Sequence, residues 1–204
     1  MTLLLIRHGE TALNAARTLQ PADTPLSERG VSQALALARR VANMNVAGIV
    51  ASDLPRAWRT AQAIAEVTGH DVEAMPLLQE RNFGDWRGHP IDSFGFNPLA
   101  RTDAPPNGES QQAFELRVAQ AFAAIVQRRA AIGGTLVVVT HGLVLSEMLR
   151  AHAWLPAELS LPAHLGNTCI SVLAADAPHA VTLLNCTLHL DALAADDAQA
   201  LSGG

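Results

Sequence analysis

The chain has 204 residues, 49% of them hydrophobic and 16% charged, and a formal net charge of -5. That length accommodates one well-cored domain, and that charge argues against nucleic acid or an anionic membrane surface as a partner. Every one of the 14 basic residues is arginine, which removes lysine Schiff-base chemistry and a phosphate-loop lysine and leaves the side chain that grips phosphate bidentately.

The opening run from Thr2 to Ile6 is apolar and reads as a strand. Arg7 and His8 interrupt it too early for a signal-peptide core or a membrane span, so a cytoplasmic protein is expected. Helical spacing runs from Ser27 to Met44, with Ser27 able to cap, and a strand follows from Gly48 to Ala51. The next helix, Pro55 to Thr68, has proline where a first turn accepts it. After a short strand from Val72 to Met75, the pattern breaks down between Pro76 and Gly108 into Gly, Pro, Asn and Asp with Phe83, Trp86, Phe94 and Phe96 interspersed. Long irregular stretches of this kind are functional or mobile. A helix from Ser110 to Ile132 leads to the strand Thr135 to Thr140, which lacks polar alternation and is therefore expected to be central and covered on both faces. A helix from Leu143 to His152 and strands from Ile170 to Ala174 and Val181 to Leu184 complete the series.

Strands alternating with helices in this way predict an α/β domain. Residues 1–190 read as that single domain and 191–204 as a frayed tail. Cys169 and Cys186, in apolar runs and without a secretion signal, read as buried reduced thiols with no assigned role.

Four segments carry chemistry. Arg7-His8-Gly9-Glu10-Thr11 leaves the first strand, where ligands of open α/β sheets bind, although an ordinary solvated turn has the same composition. Thr140-His141-Gly142 repeats the arrangement at the exit of the buried fourth strand; the two histidines sit side by side if those strands are neighbours. Ser52-Asp53-Leu54-Pro55-Arg56-Ala57 puts Arg56 in the first turn of a helix, where a cation opposes the macrodipole unless an anion lies between them, so Arg56 is a candidate anion ligand. Arg59, a turn later, fits a solvated surface residue. In Leu77-Leu78-Gln79-Glu80-Arg81-Asn82-Phe83, Glu80 stands beside aromatic residues able to raise its pKa, as a general acid requires; a surface glutamate paired with Arg81 is the competing reading.

Taken together, these segments resemble the histidine phosphatase superfamily, the phosphoglycerate-mutase-like proteins, from Leu3 to about Leu173. The resemblance rests on Arg7-His8-Gly9-Glu10-Thr11 with Asn14, Pro25-Leu26-Ser27-Glu28-Arg29-Gly30 with Gln33-Ala34, and Ser52 to Ala57 with Thr60-Ala61. It rests also on Leu78-Gln79-Glu80 with Gly84, Trp86 and Gly88, on Gly108-Glu109-Ser110 and on Thr140-His141-Gly142. It implies a three-layer sandwich with a central, mostly parallel sheet flanked by helices. It further implies a phosphomonoesterase in which His8 is the nucleophile and carries the phosphoryl group, Arg7, Arg56 and His141 bind its oxygens, and Glu80 protonates the leaving oxygen and then activates water. Thr11, Asn14 and the Gly142 amide would be secondary phosphate ligands.

Two guanidinium groups and an imidazolium can neutralise a transferring phosphoryl group, so neither a metal ion nor a cofactor is expected. The expected partner is a small-molecule phosphate ester, and a homodimer is the base-rate expectation for assembly. Two positions depart from the family pattern. Gln20 precedes Pro21, which cannot donate from its backbone, and Arg87 stands where many relatives have glutamate. The alternatives are a phosphoglycerate mutase, whose added basic segment is missing from Gly88 to Gly108 apart from Arg101, and more distantly a catalytically inactive binding domain of the same fold. A metal site at the histidines is the weakest reading, since no further ligands stand at metal-binding spacing.

Overall fold

The computed structural model describes residues 2–190, and the expected tail lies outside them. Strands β1 (Thr2–Arg7), β2 (Val46–Ala51), β3 (Val72–Ala74), β4 (Thr135–Thr140), β5 (Ile170–Ala174) and β6 (Val181–Cys186) form one sheet in the order β3-β2-β4-β1-β5-β6. The first four are mutually parallel; on the other side of β1, β5 runs antiparallel to β1 and β6 antiparallel to β5. The sheet is thus mixed and mostly parallel in its first half.

Side chains of a strand alternate between faces, and both faces of this sheet are apolar. Leu3, Leu5, Val50, Leu136 and Val138 pack under α4 (Gln111–Ala130) and α5 (Gly142–Ala151), with Phe114, Phe122, Ile125 and Met148 among the buried partners. Leu4, Ile6, Ile49, Ala51, Val137 and Val139 pack under α2 (Glu28–Val41) and α3 (Pro55–Thr68) against Leu37, Val41, Ala61 and Ile64. Helices on both faces make the three layers. The continuous apolar run of β4 follows from that double cover, as expected.

Helix ends match the residues found there. Ser27 Oγ accepts from Gly30 N at 3.0 Å, Ser110 Oγ from Ala113 N at 3.1 Å, and Gly69 closes α3 in the left-handed region at φ 70°. A short helix absent from the sequence reading, α1 (Ala12–Ala15), is capped reciprocally by Thr11 and Asn14. The irregular stretch condenses into single 3-10 turns at Pro76–Leu78, Gly84–Trp86, Ile91–Ser93 and Pro98–Ala100. Both cysteines are free; Cys169 is buried, but Cys186 is only half-buried, because β6 is an edge strand. No described helix is long and apolar enough to cross a membrane.

Candidate active site

Parallel pairing of β1 with β4 puts Arg7 opposite Thr140, and the ladder continues one step further through His8 N to Thr140 O at 2.9 Å. Both histidine loops therefore leave the sheet at the same level. The rings of His8 and His141 lie 5.1 Å apart, centroid to centroid, inclined at 58°. His8, Arg7, Arg56, Glu80 and His141 are all buried, and the charges of Arg7 and Arg56 act on both histidines and on Glu80, so the structure brings together the five side chains singled out in the sequence.

His8 Nδ1 lies 2.6 Å from Gly9 O, and a carbonyl oxygen only accepts, so Nδ1 carries the hydrogen. Burial first, then the charges of Arg56 and Arg7, hold the His8 pKa well below the ordinary histidine value. A neutral imidazole protonated at Nδ1 has its lone pair at Nε2. The backbone around it is held by Gly9 N donating to Thr60 Oγ1 at 3.0 Å and by Asn167 Nδ2 donating to His8 O at 3.1 Å.

Glu80 is a buried carboxyl rather than the surface partner of Arg81. Its oxygens accept from Arg81 N at 3.0 Å and from Leu143 N, in the first turn of α5, at 3.1 Å. Burial raises its pKa, and those two amides, with Arg56 and Arg7, oppose the rise. The Arg81 side chain points elsewhere, to Glu109 O, Gln111 Oε1 and Arg101 O. Arg117 holds the Glu80 segment by donating to Leu77 O and Gln79 O at 2.8 and 2.7 Å while paired with Glu109 at 2.7 Å.

Arg56 donates to Pro21 O and Ala22 O at 3.3 and 3.5 Å, and its Nε is enclosed without a partner. Burial pulls its pKa down to about 10, assisted by the cations of Arg87 and Arg7 and opposed by Glu80. Arg7 donates to Leu165 O at 2.5 Å. His141 Nε2 lies 2.8 Å from Ser52 Oγ, while its buried Nδ1 has no hydrogen-bond partner. Burial first, then the charges of Arg56 and Arg7, hold His141 well below the ordinary value and favour the neutral ring without an anion; the imidazolium expected from the sequence is that of the anion-bound state.

Thr11 Oγ1 is engaged by Gln20 at 2.8 Å and by Asn14 N at 3.0 Å, which makes it part of the scaffold, whereas Asn14 Nδ2 is buried and unpartnered. Gly142 begins α5, where the first amides of a helix lack intrahelical acceptors. Ser52, Thr60, Asn167 and Arg117 had no role in the sequence reading. Ser52 and Thr60 lay inside quoted motifs, but Asn167 reaches His8 across 159 positions and left no local signal.

The histidine phosphatase superfamily (branch 1) model matches residues 3–187. The chain belongs to this superfamily. It is 34% identical over 181 residues to a probable phosphoglycerate mutase of Yersinia pestis (strain Pestoides F), covering 84% of this chain and 83% of that one. Among solved structures it is similar to a mycobacterial glucosyl-3-phosphoglycerate phosphatase at 32% identity and TM-score 0.73, covering 85% of this chain and 90% of that one. It is also similar to a putative alpha-ribazole-5'-P phosphatase of Escherichia coli at 30% identity and TM-score 0.76, covering 92% and 97%.

Proposed function

We propose that this member of the superfamily hydrolyses a small-molecule phosphate monoester through a phosphohistidine at His8, with no cofactor. The observation that carries the reading is the Nδ1 hydrogen bond of His8 to Gly9 O, which leaves Nε2 with its lone pair among cations. In the first half-reaction Nε2 forms a bond to phosphorus, the ester P–O bond breaks, and the proton of Glu80 passes to the departing oxygen. In the second, water attacks phosphorus, the Glu80 carboxylate takes its proton, and the P–N bond breaks to release inorganic phosphate. Arg7 and Arg56 carry the charge on the equatorial oxygens, each worth about 3 kcal/mol on the scale of a lost oxyanion donor. In our assignment Ser52 donates to His141 Nε2, so that His141 presents Nδ1–H to the phosphoryl group.

Glycerate phosphates could instead be interconverted, as the name of the Yersinia relative suggests, if the phosphohistidine were discharged onto a second hydroxyl rather than onto water. The stretch from Gly88 to Gly108 has one arginine and no lysine, which favours water as the acceptor.

A phosphoramidate on imidazole survives alkali and is cleaved by acid. Quenching turnover of labelled substrate in alkali is expected to trap one phosphoryl group per chain on His8 and none on His141. Label on His141 alone would exchange their roles, and turnover without label would mean that water attacks phosphorus directly.

A further inference from the structure

The end of the sheet away from the reaction centre holds a buried charge that the mechanism does not use. Ala174, the last residue of β5, pairs with Thr2, and α4 ends just before the turn that leads into Thr135, so both stop at the end of the sheet opposite Arg7 and Thr140. Between them lies a cavity of about 490 Å³, a size that admits a small organic ligand. One wall is the last turn of α4 with Ile132, and the other is the turn between β5 and β6. Phe122, Val126 and Arg129 recur at helical spacing on one face of α4. His179 holds the turn against that face, with Nδ1 at 3.3 Å from Ala174 O and its ring edge-on to Phe122 at 5.2 Å between centroids.

Arg129 lines this cavity and is only 2% exposed. Its Nη1 donates to Ile132 O at 2.8 Å, which ties the end of α4 to the turn before β4. Nε and Nη2 are enclosed and have no hydrogen-bond partner among the described residues. Those two nitrogens share the edge of the guanidinium that meets both oxygens of a carboxylate in parallel. A buried cation with that edge unused is destabilising unless an anion fills it. Asp176 lines the same cavity, but it is exposed and bonded to neither nitrogen. Residues 176–178 of the turn are all exposed, so the wall on that side can open without disturbing the core. We infer that the cavity binds a small monocarboxylate with an apolar body, its two oxygens on Nε and Nη2 of Arg129. One guanidinium neutralises one charge, and Asp176 disfavours a dianion such as a phosphate monoester; Val126, Ala130, Ile132 and Ala177 give the body an apolar lining. The 6 residues of β4 put about 20 Å between the two ends of the sheet, so the ligand does not compete with substrate, and the inference stands without the phosphatase reading.

The probes are benzoate and its neutral isostere benzamide, titrated calorimetrically into the full chain at constant ionic strength. Benzoate is expected to bind once per chain and at least about 10-fold more tightly than benzamide, and Arg129→Gln to weaken it about 30-fold, the scale being that of hydrogen bonds to a charged group. Ala130→Trp, at an exposed position of the same wall, fills the cavity while keeping the guanidinium; it is expected to abolish binding and serves where Arg129→Gln does not fold. Asp176→Asn is expected to tighten binding, and Arg56→Ala to leave it unchanged. Loss of binding in Arg56→Ala with binding kept in Ala130→Trp would put benzoate in the reaction centre. Binding by Asp176→Asn but not by the unmodified chain would make Asp176 the partner of Arg129. Either result, or no binding by either chain at millimolar benzoate, overturns the inference.

Discussion

Burial acts on His8 and Glu80 in opposite senses, lowering the pKa of the imidazole and raising that of the carboxyl, so that it favours the neutral form of each. In the proposed mechanism these are the two states that attack and departure require. kcat/KM is expected to rise with pH through the lowered His8 pKa and to fall through the raised Glu80 pKa. Glu80→Gln is expected to lose the falling limb. Its penalty should be large on an alkyl phosphate, whose alkoxide needs the proton, and small on p-nitrophenyl phosphate. Equal penalties on the two would remove Glu80 from departure and point to Glu10 or Asp85. Both residues could be singled out from sequence because Arg7-His8-Gly9 and Gln79-Glu80 form local patterns. The protonation state of His141 could not, since it depends on how three chain segments enclose it.

Strands and long helices were legible because apolar runs and caps are local properties, and the exits of β1, β2 and β4 could be read as places for a site. The contacts of Arg56 with Pro21 and Ala22, the lock of Arg117 on the Glu80 segment and the contact of Asn167 with His8 were not, since each joins residues far apart in the chain. One such junction sets the height of the His8 loop. A Cβ on Gly30 would lie 2.0 Å from Glu10 O, and one on Gly9 would lie 2.6 Å from Gly30 O, so the start of α2 and the loop after β1 touch backbone to backbone. Neither chain can retreat as a flexible side chain would. Gly30→Ala is expected to cost at least about 3 kcal/mol, at the upper end of overpacking, and to lower turnover by displacing Glu10 and Gly9. Gly69→Ala has open space and only its left-handed φ of 70°, for a cost of about 1 kcal/mol. Urea midpoints of the two variants check the difference; equal shifts would mean that the contact yields.

For the molecule as a whole, the neutral histidines of the site tie stability to pH. A histidine whose folded pKa is depressed contributes fully above its unfolded value of 6.5, and that contribution is lost as pH falls toward the folded pKa. Glu80, raised from 4.5, works the other way and loses its contribution as pH rises above that value. Two histidines outweigh one carboxyl, so stability is expected to fall as pH drops from 7 to about 5.5, by about 1.4 kcal/mol per pH unit for each net proton. His141→Asn should flatten that slope by one proton in denaturant titrations at several pH values; an unchanged slope would show that His141 is not held neutral. The order of strands also has a consequence for the birth of the protein. β1, which leads into the His8 loop, is made long before either of its sheet neighbours, β4 and β5, the second of which ends at Ala174. On the ribosome it waits with both edges unpaired until β4 has emerged and with one edge unpaired until β5 follows, and throughout that interval it is an apolar template open to other nascent chains. Catalytic competence and protection from aggregation arrive together, with the docking of β5 against a strand made some 160 residues earlier.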